Sequence, residues 1–273
     1  SDPTWANHVP TFSAAGLTTA TYPYYDNAAK EIRFDSMLAT LEEAKEGDIV
    51  LLHGCCHNPC GADLNQQQWQ TIADLLLRKN LIPFIDIAYQ GLGDGLDEDA
   101  YGLRLLANQL PEMIIASSCS KNFGLYRERT GAVMVISASA DASKVTASNL
   151  MNVIRSNYSM PPTHGASIVE TILDDSSLTQ MWKQELNDVC VRINDMRARL
   201  SQQIAATGCQ TDFSFIPKQK GMFSFLGVTP EQVHQLRDDY SIYMVDSSRI
   251  SIAGLNPHNI DYVAEAISSV VKP

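Results

Sequence analysis

The residues best equipped for chemistry in this chain fall in short polar runs. In SSCSKNFG, residues 117–124, Lys121 follows hydroxyls at Ser118 and Ser120, and Arg129 comes soon after. Hydroxyls and a guanidinium gathered in one segment make an anion cradle of the kind that holds a phosphate. The competing fate of any single lysine is a solvated loop position. In FIDIAYQG, residues 84–91, Asp86 interrupts an apolar stretch, with Tyr89 and Gln90 behind it. A carboxylate inside a buried strand is costly unless a cation or hydrogen-bond donor meets it. Its partner is either a structural one, His8 or His53, or a protonated heterocycle. An amine beside a phosphate cradle, across from a buried acid, suits Schiff-base chemistry with pyridoxal phosphate.

A third run, HGCCHNPC at 53–60, has two histidines and three cysteines and raises the question of a metal. Zinc sites want tetrahedral N/S ligands, with cysteine pairs two to four residues apart and a second pair elsewhere. Cys56 and Cys60 fit that loosely. Cys55 and Cys56 are adjacent, so they face opposite ways if the strand continues, and Cys190 and Cys209 form no pair motif. The run reads as a strand end delivering Asn58, with no metal expected.

Such runs must be carried by a scaffold. DIVLLH (48–53), LIPFIDI (81–87) and MIIAS (113–117) read as buried strands, and GAVMVIS (131–137) as another. Between the first two, Asn65 is placed to cap a helix whose Trp69, Ile72, Ala73 and Leu76 share a face. Alternating strands and helices argue for an α/β fold with a mostly parallel central sheet flanked by helices. Ligands of such a sheet bind beyond its carboxyl strand ends, where His53, His57, Asn58, Asp86, Tyr89, Ser118, Ser120 and Lys121 all fall. A helix over 142–155 follows, then a longer one with Trp182, Leu186, Val189, Ile193, Met196 and Leu200 aligned and Gly208 to end it. Thr229-Pro230-Glu231-Gln232 starts another helix, and Ile260, Val263, Ala264 and Ile267 mark the last. A domain boundary is expected inside the long helix, giving a large domain, 1–188, and a smaller C-terminal α+β domain, 189–273.

Composition narrows the partners. The 273 residues carry a net charge of −11, which disfavours nucleic acid or an anionic membrane. No apolar run reaches membrane-spanning length and no secretory signal opens the chain. Six cysteines are too few for a secreted disulfide scaffold of this size, so a reducing cytoplasmic setting is expected.

Taken together, the motifs resemble a known family. Trp5-Ala6-Asn7-His8, His57-Asn58-Pro59, Asp86-Ile87-Ala88-Tyr89-Gln90-Gly91, Ser118-Cys119-Ser120-Lys121-Asn122-Phe123-Gly124, Asn157-Tyr158-Ser159 and Ser248-Arg249 occur in the order of the aspartate/aromatic (tyrosine) aminotransferases. These are class I, fold-type I pyridoxal-phosphate enzymes, and several motifs in order are far more specific than one. The resemblance implies that Lys121 bonds the cofactor and shuttles a proton, that Asp86 holds the pyridine nitrogen protonated, and that Tyr89 and Asn58 donate to its phenolic oxygen. It implies Trp5 on one ring face and Ala88 on the other, and Ser118, Ser120 and Arg129 on the phosphate. It assigns Arg249 to the substrate α-carboxylate, Trp5 and Asn58 to the same pocket, and Arg155 to a second carboxylate across a homodimer interface. His8 and His53 become supports for Asp86. The implied reaction is ping-pong transfer of an amino group from aspartate or an aromatic amino acid to 2-oxoglutarate.

Family members carry a segment before the position matching Ser1, so an upstream portion is expected, and without it a sheet edge and apolar helix faces are expected to lie open. Cys60 stands where the family commonly has threonine. One alternative is a catalytically impaired remnant serving as an interaction protein. Another is a nucleotide-binding oxidoreductase, prompted by GLGDG at 91–95, whose glycines do not complete G-x-G-x-x-G.

Overall fold

The computed structural model describes residues 1–271. It opens with a short helix, α1 (His8–Ala14), a hairpin of β1 (Tyr25–Asp26) and β2 (Glu31–Ile32), and α2 (Phe34–Glu42). The central run is β3 (Ile49–His53), α3 (Gln66–Lys79), β4 (Ile82–Ile87), α4 (Tyr101–Gln109), β5 (Met113–Ser118) and β6 (Gly131–Ile136). Three helices follow, α5 (Ala140–Asn157), α6 (His164–Asp174) and α7 (Ser176–Ala206). The chain ends with β7 (Phe223–Phe225), α8 (Pro230–Tyr240), β8 (Arg249–Ser251) and α9 (Ile260–Val270).

The main sheet has the order β3-β4-β5-β6, with the first three strands parallel and β6 antiparallel at the edge. Its register puts His53 beside Asp86 and Asp86 beside Ala116. The expectation of strands buried on both faces needs correction. Val50, Leu52, Ile85 and Ile87 are sealed into the core with Trp69, Ile72 and Leu76 of α3, while Phe84 and Asp86 point to a half-covered face. Phe12 of α1 packs edge-on to Phe84 there, with ring centroids 5.7 Å apart. Asp86 therefore has room for a partner that a closed sheet would deny it.

Local signals explain the helix starts. Asn65 and Gln68 form a reciprocal capping box on α3, and Thr229 and Gln232 form another on α8, with Pro230 in the first turn. Asn65→Ala should cost about 1 kcal/mol of stability, read as a lowered denaturant midpoint at unchanged slope. No helix is long and apolar enough to cross a membrane among the described residues.

The long helix α7 buries Leu186, Cys190, Ile193, Met196, Leu200 and Ile204, whereas Val189 is 40% exposed. A straight helix turns once per about 3.6 residues, so Cys190 rather than Val189 comes round to the buried face, where its thiol donates to the Gly93 carbonyl at 3.3 Å. Arg197, on the same face, is fully buried. It donates to the carbonyls of Ile216, Lys220, Gly221 and Phe223 at 3.2, 2.9, 2.7 and 2.6 Å, fixing the segment that leads into β7. Burial pushes its pKa down to about 10.

One face is left open. α5 spans the helix expected over 142–155 but has no buried residue, although Ala147, Leu150, Met151 and Ile154 fall at helical spacing along it. Met151 is 70% exposed, and Val133 and Met134 of the edge strand are 51% and 45% exposed.

Candidate active site

Asp86 is met from α1. His8 Nε2 lies 2.9 Å from Asp86 Oδ2, and an ionised carboxylate can only accept, so that nitrogen carries the proton. Thr4 Oγ1 stands 2.8 Å from His8 Nδ1 and 3.2 Å from His53 Nε2, linking the two imidazoles. His53 thus makes no hydrogen bond to Asp86 and is linked to it through Thr4 and His8, whose ring it also meets edge-on at 5.2 Å, although the two residues are neighbours in the sheet. Nothing in the sequence marks Thr4, because a lone threonine before a helix has many ordinary roles.

Burial pushes His53 down to about 3, and His57, stacked on Tyr24 at 4.2 Å, is held well below its ordinary value by the same cause. Both rings are therefore neutral when folded. In the unfolded chain an imidazole takes up a proton as pH falls below about 6.5. The unfolded state then binds more protons, so stability declines as pH falls from the ordinary histidine value of 6.5 toward 3. A melting temperature that stays flat from pH 7 to 4 would contradict these two environments.

The loop after β3 supplies Asn58. Its Nδ2 donates to the Tyr89 hydroxyl at 3.3 Å, and its Oδ1 accepts from Arg249 Nη1 at 3.1 Å. Tyr89, Asn58 and Arg249 form one chain across loops far apart in sequence. The Arg249 guanidinium also lies over the Phe223 ring at 4.5 Å. Gly61 allows this approach: it has φ of +72°, and a Cβ there would stand 2.5 Å from the Phe223 carbonyl oxygen. Burial, reinforced by nearby Asp86, raises the Tyr89 phenol to about 12 and keeps it a hydrogen-bond donor.

Lys121 follows β5 and lies half-buried, with Nζ over the Tyr89 ring at 4.6 Å. Burial lowers its pKa, Asp86 opposes the shift and Arg129 adds to it. Its loop is braced by Phe123 stacked on Trp182 at 4.3 Å and by Trp182 Nε1 donating to the Asn122 carbonyl at 2.7 Å. Ser118 Oγ accepts from the Ser120 N–H at 3.1 Å. Arg129 is exposed and donates to the Tyr126 carbonyl at 3.0 Å.

Not every expected site residue is gathered here. Trp5 borders the cluster, its ring edge-on to His8 at 5.3 Å, and is 41% exposed. Arg155 stands apart on the open face of α5, exposed and without a hydrogen-bond partner among the described residues. GLGDG does not form a phosphate turn. The amides of Gly91, Gly93 and Asp94 all donate to the Asp99 carboxylate, so the chain consumes its own anion-binding donors.

An amine, a histidine-supported carboxylate, a phenol-amide-guanidinium chain and two hydroxyls make a donor set for a phosphorylated heterocycle and a carboxylate-bearing substrate. The comparisons with known proteins agree. The family profile described as aminotransferase class I and II matches residues 1–267. The chain belongs to this family. This aminotransferase is 48% identical over 271 residues to an aspartate aminotransferase of Salmonella typhi, covering 99% of the chain and 68% of that relative. It is 45% identical to an aromatic-amino-acid aminotransferase of Pseudomonas aeruginosa, covering 99% of the chain and 67% of the relative. The solved aromatic-amino-acid aminotransferase of Burkholderia pseudomallei, covalently bound to pyridoxal phosphate, superposes with a TM-score of 0.98 at 46% identity, covering 99% of this chain and 68% of that one. The oxidoreductase reading is set aside on these grounds, and the non-catalytic remnant is not favoured.

Proposed function

We propose that this aminotransferase moves an amino group from aspartate or an aromatic L-amino acid to 2-oxoglutarate in two ping-pong half-reactions, using pyridoxal phosphate. The observation that carries the reading is the convergence of Lys121, the Asp86–His8 pair and the Tyr89–Asn58–Arg249 chain at the carboxyl ends of three neighbouring strands. The donor set fits the cofactor end for end. Lys121 would hold it covalently, Asp86 its ring nitrogen, Tyr89 and Asn58 its phenolic oxygen, Ser118, Ser120 and Arg129 its phosphate, and Trp5 one ring face. Once bound, pyridoxal phosphate supplies a sink for the electron pair left on Cα when a proton leaves.

The chain's own residues then do the rest. Lys121, whose pKa burial lowers, takes the Cα proton on Nζ and returns it two bonds away, across the substrate nitrogen. Asp86 keeps a positive charge on the ring nitrogen, and His8 with Thr4 and His53 keeps Asp86 oriented. Arg249 takes the substrate α-carboxylate in a bidentate fork, with Asn58 Oδ1 accepting from its Nη1. Arg155 serves a second substrate carboxylate on a neighbouring subunit, and the open face of α5 and β6 supports such self-association into a homodimer. The division at residue 188 and a cytoplasmic setting belong to the same reading.

The direct test is to add pyridoxal phosphate to the purified protein and assay aspartate, tyrosine and phenylalanine against 2-oxoglutarate. Turnover of at least one donor, with new absorbance beyond that of the aromatic side chains, is expected. Failure of all three donors by a folded, cofactor-loaded protein would overturn the proposal. Arg155→Leu should lower kcat/KM for aspartate by about 10–100-fold, the value of one charged hydrogen bond, while sparing phenylalanine. Equal losses for both substrates would refute its assignment.

A further inference from the structure

HGCCHNPC, which sends His53 and Asn58 to the cofactor cluster, also presents a second grouping beside it. Adjacent cysteines on a continuing strand would face opposite ways, but β3 ends at His53, and Cys56 turns the chain with φ of +51°. The sulfurs of Cys55 and Cys56 and a carboxylate oxygen of Asp99 therefore lie within 4.8 Å of one another, all three residues buried. We propose that Cys55, Cys56 and Asp99 form a binding site for one thiophilic divalent cation of the Zn2+ or Cd2+ type, reached from the adjoining cavity.

Four observations carry this. Two thiolates and a carboxylate are the donors that borderline and soft divalent ions select over Mg2+ or Ca2+. Asp99 Oδ2 accepts from Gly91 and Gly93, but Oδ1 accepts only from Asp94, which leaves it a lone pair for a metal. Gly93 leaves space beside the donors, since a Cβ there would stand 2.6 Å from Asp99 Oδ1 and 3.1 Å from Cys56 Sγ. Cys55 and Asp99 also line a cavity of about 670 Å3 whose wall carries Asp63, Asp94, Asp97 and Glu98. Lys220 pairs with Asp94 and Arg104 with Asp97, and Lys218 also stands in the wall, but carboxylates outnumber bases there and favour cation entry. On binding, two metal–sulfur bonds form, the two thiol protons pass to solvent, and no electrons change hands. A fourth coordination position is left toward the cavity.

The site is tested by titrating the full chain with Cd2+ and following thiolate-to-metal charge-transfer absorbance in the ultraviolet. One equivalent per chain is expected to saturate the band. Cys55→Ser/Cys56→Ser should weaken binding at least 100-fold, Gly93→Val should block it, and Cys190→Ser should leave it intact. X-ray absorption of the Zn2+-loaded wild-type protein needs no variant to fold, and should show two sulfur neighbours with lighter atoms completing the shell. No charge-transfer band, a shell of nitrogen and oxygen alone, or a band that survives in the folded double serine variant would each overturn the proposal.

Discussion

Lys121→Ala should reduce transamination by about 10^4-fold or more and remove the absorbance of lysine-bound cofactor. A positioned general base contributes up to about 10^4, and the covalent attachment is lost with it. The geometry makes this amine suited to the task. Nζ lies 4.6 Å from the Tyr89 ring centroid, and partial burial lowers its pKa below that of an ordinary lysine. The amine makes no hydrogen bond within the described residues, so its removal should leave the fold unchanged by circular dichroism. Single-turnover assays with and without added cofactor check the result. Activity within tenfold of wild type in a folded variant would show that another group moves the proton.

Asp86→Asn should be the second largest loss. An asparagine keeps the shape and removes the charge. An opposite charge in contact shifts a titrating group by about 1–3 units, so loss of the carboxylate lowers the protonated fraction of the ring nitrogen by roughly 10–10^3-fold, and kcat with it. The sign follows directly. The anion raises the pKa of the nitrogen it faces, removing it lowers that pKa, and the residual activity should therefore increase as pH falls. His8, 2.9 Å from Asp86, can donate to either residue type, so Asp86→Asn should remain folded. Undiminished activity with a flat pH profile would show that the carboxylate serves structure alone.

The scaffold was legible because its signals are local. Apolar runs ending in polar residues marked β3, β4 and β5, and the Asn65 and Thr229 capping boxes marked two helix starts. Asp86 was legible because a carboxylate between Ile85 and Ile87 demands a partner. Thr4, which joins His8 to His53, was not, since its role depends on where α1 lands on the sheet. Arg197 was equally silent, because its partners are four backbone carbonyls, which carry no sequence signature. The convergence of Cys55, Cys56 and Asp99 depended on a chain turn that continued strand geometry would not predict.

Catalysis at this site requires a covalent bond between one lysine and the cofactor. Reducing the cofactor-loaded protein with borohydride, digesting it and sequencing the peptides by mass spectrometry reads that bond directly. The pyridoxyl phosphate mass should appear on Lys121, in the peptide that also contains Ser120 and Asn122. A label on a different lysine, or none on a protein that transaminates, would contradict the site described.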